Sequence, residues 1–146
     1  MRVDTNRNPK HTGVLNATLW AISEEPPFND LLIRTTSHTL TDSILENLPD
    51  WEATNYINID HKDLFWAIAA RLRNRSAPTS LRLTPKTANE LGTKKALELA
   101  RAGTLREVSD EPNLTIIPKF NITGAQLSKM TQKIVYQGIC DHKADL

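Results

Sequence analysis

The sequence predicts an α/β fold, and three observations carry that expectation. Two short apolar runs of strand length, Leu31-Leu32-Ile33 and the stretch 79–83, alternate with segments whose apolar residues recur at helical spacing. Pro and Gly residues punctuate the changes between them. The chain has 146 residues, 39% of them hydrophobic, which is enough for one buried core and too little for two.

Each element can be justified in order. Residues 1–10 are polar, with Arg2, Arg7, Pro9 and Lys10, and read as a loop or frayed strand end. Leu15, Leu19 and Ile22 fall on one helical face until Pro26-Pro27 stops the helix. The run at Leu31 is expected to be a fully buried strand. Leu40, Ile44, Leu45 and Leu48 then form a second helix, with Pro49 as its end. Asp60 is a candidate N-cap for a third helix, with Asp63 in its first turn and Leu64, Phe65, Ile68, Ala69 and Leu72 along one face. After the strand in APTSLRLTP, residues 88–102 make a fourth helix closed by Gly103 as the C′ residue. The remainder changes character. LREVSDEPN is polar, LTIIP is extended, and NITGAQLSKMTQKIVYQGI reads as a terminal helix with Leu127, Met130, Ile134 and Val135 turned inward. These last 42 residues, 105–146, form an extension packed on a domain spanning 1–104.

Composition excludes several classes. The net charge of +1 and pI near 7.9 make no global case for a polyanion partner, so local runs matter more. The single cysteine, Cys140, forbids an internal disulfide. No apolar run approaches the roughly 18 residues of a membrane span, and no basic-then-apolar leader opens the chain. An intracellular, nuclear or cytoplasmic location is therefore expected, and the glycosylation-type triplets at Asn16, Asn74, Asn113 and Asn121 read as chance. Histidines 11, 38, 61 and 142 are dispersed, with no zinc-type spacing.

The phrases HTGVLNATLWAI, LLIRTTSHTL, LPDWEATNYINIDHKDLFWAIAARLRNRSAPTSLRL and LGTKKALELARAGT resemble the type 1 ribonuclease H family. The likeness is especially to the copies found in fungal retroelement-derived proteins, whose extension IPKFNITGAQLSKMTQKIVYQGI resembles. The most specific part runs from Trp51-Glu52 to Thr79 and includes Asp63-Leu64, Leu72-Arg73, Arg75 and Ala77-Pro78-Thr79. The resemblance implies a ribonuclease H-like sheet of mixed strand direction with flanking helices, here incomplete because the opening hairpin has no counterpart. It also implies an activity: four carboxylates holding two magnesium ions that cut the RNA strand of an RNA–DNA hybrid.

Position by position, those carboxylates are missing. The first lies on the opening hairpin. The second, a Glu at the start of the family's first helix, falls on Val14. The third, an Asp at a strand end about fifteen residues before the Trp-Glu phrase, falls on Thr36, which precedes Trp51 by fifteen residues, whereas Asp42 precedes it by nine. Asp42 then reads as a solvent-facing helix residue. The fourth falls on Leu97, and Glu98, one position on, points about 100° away around the helix. Thr87 stands near the place of the family's mobile histidine. Hard divalent ions take oxygen ligands, preferably charged, so no metal cofactor is expected.

The resemblance therefore implies a catalytically inactive ribonuclease H-like protein whose surviving activity is weak nucleic-acid binding. Between 71 and 95 the residues Arg71, Arg73, Arg75, Arg82, Lys86, Lys94 and Lys95 face a single acidic residue, Glu90. That run is the best electrostatic footprint in the chain, with Arg71, Arg73, Arg75, Lys86, Lys94 and Lys95 as phosphate-contact candidates. The alternative is a solvated face whose Arg stems cover apolar neighbours. Trp51 and Tyr56 stand between base stacking and closing the core. Two rival functions stay open: residual hybrid cleavage through Asp42 or Glu98, and a protein-interaction role without nucleic acid. A sheet without its opening strands leaves apolar edge to cover, which a homodimer would do.

Overall fold

The computed structural model describes residues 9–87, 91–106 and 111–144. Helix α1 (Pro9–Glu24) buries Leu15, Thr18, Leu19 and Ile22, spaced i, i+3, i+4 and i+7 on one face. The Thr18 hydroxyl donates to the Val14 carbonyl at 2.8 Å, so its burial leaves no polar atom stranded. Two prolines, Pro26 and Pro27, follow the helix end. Helix α1 packs on α4 (Lys62–Asn74), which buries Leu64, Phe65, Ala67, Ile68, Ala69 and Ala70. Leu15 and Ile68 are fully enclosed, each side chain contributing about 1.5–3 kcal/mol through lost apolar surface.

Strands β1 (Leu31–Thr35) and β2 (Thr79–Leu83) pair in parallel, with Leu31 opposite Thr79 and Thr35 opposite Leu83. Parallel strands require a long crossover, supplied here by the helical segment between them. The chain is thus α/β. Among the described residues the sheet has two strands of one direction, which corrects the expectation of a mixed sheet: no antiparallel strand joins them. Nor is β1 fully buried. Leu31, Ile33 and Leu81 pack on the core, while Leu32, Arg34, Ser80 and Arg82 are exposed on the outer face. The alternation arises because helices cover one side of the sheet alone.

Residues 38–53 form a continuous helical run with a widened middle: α2 (His38–Asp42), a π turn (Ser43–Asn47) and α3 (Leu48–Ala53). Ser37 caps α2, its hydroxyl accepting from the Leu40 amide at 3.2 Å. Pro49 does not end the helix, as its sequence position suggested. It sits in the first turn of α3, where its missing N–H costs least, and the π turn before it absorbs the mismatch with the preceding ladder.

Helix α3 closes in a Schellman arrangement. The Asn55 amide donates to the Glu52 carbonyl at 2.9 Å and the Tyr56 amide to the Trp51 carbonyl at 2.7 Å. Asn55, at φ 56°, is the left-handed C′ residue, and Tyr56, Asn58 and His61 repeat that conformation at 54°, 63° and 60°. Helix α4 consequently begins from His61, whose carbonyl accepts from the Leu64 and Phe65 amides, and not from an Asp60 cap.

Residues 88–90, where the fourth predicted helix was to start, lie outside the described set, as do 1–8 and 107–110. Helix α5 (Leu91–Thr104) buries no residue. It runs through Gly103, which keeps a negative φ, so the expected glycine C′ is not used. The segment after α5 packs back on α3 and α4. The Gln126 amide donates to the Ala53 carbonyl at 2.8 Å, and Ile117 and Phe120 lie against Ala70 and Asn74 of α4. Helix α6 spans Gln132–Ala144, with the Thr131 hydroxyl accepting from the Ile134 amide at 3.3 Å. That cap fixes a later start than the sequence suggested. Leu127 falls on a separate 3₁₀ turn at 89% exposure, and Val135 is exposed, while Met130 and Ile134 are half-buried.

Candidate functional site

Of the three residues at which the resemblance would put metal ligands, Val14 lies half-buried on α1 against the core, Thr36 follows the end of β1, and Leu97 sits mid-way along α5, exposed. An isopropyl, a hydroxyl and an isobutyl group make no donor set for magnesium. Asp42 is the last residue of α2 and faces solvent, and Glu98 is exposed on α5. Among the described residues, no three His, Cys, Asp or Glu side chains gather in a way that would hold a metal ion. The residues present do not fit the two-ion centre of the family that the sequence resembles.

The six candidate phosphate contacts divide into two groups. The three arginines are engaged within the chain. Arg75 holds the α1–β1 connection: its Nε donates to the Thr79 hydroxyl at 2.8 Å, and its Nη atoms reach the carbonyls of Glu25 at 3.0 Å and of Asn29. Arg73 is ion-paired with Glu52. Gly124 lies on Glu52 so closely that a Cβ there would overlap the carboxylate arm. Arg71 donates from Nη2 to the Thr115 carbonyl at 3.0 Å, tying α4 to the extension. Lys86, beyond β2, and Lys94 and Lys95, in the first half of α5, are exposed. With exposed Arg82 and Arg101 they follow one another along the segment from β2 to the end of α5.

The aromatic candidates close the core. Trp51 meets Phe65 edge-on at 4.9 Å, and Tyr56, 3% exposed, stacks on Trp66 at 5.6 Å. Burial, aided by the Glu52 carboxylate and opposed by Arg73, pushes the Tyr56 phenol up to about 12, so it stays a neutral donor. His11 and His61 meet at 5.7 Å beside Phe65. Burial and the neighbouring His61 hold His11 below the usual 6.5, with Asp60 opposing. His38 is exposed at the start of α2.

Comparisons with protein-family models, with curated proteins and with solved structures returned no match. The sequence reading missed the cleft between α4 and α6, lined by Tyr56, Trp66, Met130 and Ile139. No local spacing joins residues so far apart along the chain. Their one sequence signal is the pairing of a Tyr and a Trp ten residues apart across a helix start.

Proposed function

We propose that this chain is a ribonuclease H-like protein without hydrolytic activity that binds nucleic acid weakly, through charge. The observation that carries the reading is the series of exposed cations Arg82, Lys86, Lys94, Lys95 and Arg101 along β2 and α5, which no ion pair among the described residues neutralises. Arg71, Arg73 and Arg75 act in this reading as braces, because their guanidinium groups are already committed to carbonyls, Thr79 and Glu52. Cleavage finds no support, since the positions Val14, Thr36 and Leu97 offer no carboxylate to a divalent ion. An RNA–DNA hybrid is the partner the family resemblance favours.

The test is fluorescence anisotropy with a labelled RNA–DNA hybrid across a salt series, with magnesium present and product analysis in parallel. Binding should weaken steeply with salt, and replacing Lys86, Lys94 and Lys95 by Gln should flatten the log–log slope by about 0.9 for each phosphate that is no longer neutralised. Hybrid cleavage in magnesium would restore the enzyme reading.

A second reading, protein interaction, is favoured by the apolar side of α5, where Ala96, Leu97, Leu99 and Ala100 are all exposed. Absence of any hybrid binding at low salt would favour it. In either case a second copy is a candidate cover for the open strand edges of the two-stranded sheet, and sedimentation equilibrium reporting a monomer at high concentration would dismiss that dimer.

A further inference from the structure

A cleft of about 750 Å³ opens between the left-handed segment after α3, the start of α4 and the face of α6. Tyr56 and Trp66 lie stacked along it, and Ile57, Met130, Val135 and Ile139 make apolar wall. Gly138 builds one corner: a Cβ there would sit 2.9 Å from Ile57 Cδ1, so the close approach of α6 depends on its having no side chain. The Tyr56 hydroxyl and the Trp66 indole N–H are both buried and neither has a hydrogen-bond partner. Two unpaired donors side by side are costly, and a site that leaves them so calls for a group that completes them. At the rim, Lys62 and Lys143 offset Asp63 and Asp141, so the cleft exerts little net pull on a charged ligand.

We propose that this cleft binds an uncharged, flat, largely apolar molecule carrying a hydrogen-bond acceptor. Its ring lies against the Tyr56–Trp66 pair, and its acceptor receives a hydrogen bond from the indole N–H or the phenol O–H when half-buried Trp66 turns toward the opening. The volume suits a ligand of ordinary small-molecule size. This site stands apart from the cations of β2 and α5 and does not depend on the nucleic-acid reading.

Nile red, which is neutral and planar and carries a ring carbonyl, is the probe, titrated into the full chain labelled with ¹⁵N. The chain has three tryptophans, Trp20, Trp51 and Trp66, whose indole signals are assigned with a Trp66→Phe variant. The expected result is a shift of the Trp66 indole signal and of the Ile57, Gly138 and Ile139 amides, with blue-shifted dye emission. Tyr56→Phe and Trp66→Phe should each weaken the dye about three- to tenfold, the range of one neutral hydrogen bond, and Ile139→Asp should abolish binding. Shifts confined to α5, unchanged affinity in Ile139→Asp, or no binding up to the solubility limit of the dye would each overturn the proposal. The shift map uses the unaltered chain, so a variant that fails to fold does not blunt the test.

Discussion

Arg75 shows how a residue that reads as a ligand contact becomes part of the frame. Its planar fork meets carbonyls of the α1–β1 connection and the first hydroxyl of β2, a geometry a lysine would not reproduce. Replacing it with Ala removes several charge-assisted bonds at a half-buried place, and the unfolding free energy should fall by about 2–3 kcal/mol in urea denaturation. Tyr56 gives a second residue-scale expectation. Its phenol ionises near 12 in the fold and near 10 when unfolded, so the stability it lends is present below pH 10 and is lost as pH rises through 12. In a Tyr136→Phe background, phenolate absorbance should appear near pH 12, and an ordinary titration near 10 would contradict the buried placement. Sequence alone left Tyr56 open between base stacking and core. Its burial rests on partners such as Trp66, ten positions on, which come together only through the turn between them.

At the scale of elements, the clearest agreement lies where periodicity and burial coincide. Leu15, Leu19 and Ile22 on α1, and Leu64, Phe65 and Ile68 on α4, face each other as their spacing predicts, and both strands lie where their apolar runs stand. Agreement fails at ends. Pro49 reads as a stop but serves as a start, because a proline is as compatible with a first turn as with a break. Asp60 reads as a cap, yet the left-handed backbone at His61 takes that place, a conformation no residue type at that position announces. Leu127 reads as inward because its spacing suits a helix that begins only after Thr131. The turn after α3 can be probed directly. Asn55→Val should cost about 1–2 kcal/mol in a left-handed C′ position, whereas Asn55→Gly should cost less, as read from denaturation midpoints at constant m.

For the whole molecule, the α/β character was legible in the sequence, and the contacts of Arg71, Gly124 and Gln126 tie the segment after α5 to α3 and α4. The candidate site was less legible. Charge is visible in a sequence, but its commitment to a particular carbonyl is not, which is why three of the six basic candidates turn out to be tied within the chain. What distinguishes Arg71, Arg73 and Arg75 from Lys86, Lys94 and Lys95 is a bonded acceptor, and that depends on how distant segments fold back.

Helix α5 adds a consequence of a different kind. Fourteen residues joined by backbone bonds, with none enclosed, stand near the length at which a lone helix in water melts and re-forms on its own. Its amide protons should therefore trade with deuterium orders of magnitude faster than those around Ile68, and a brief protease pulse should nick the chain first between 91 and 104. Should a hybrid or a protein partner settle on that helix, the same protons would slow, and exchange mass spectrometry would report the capture even where affinity is modest.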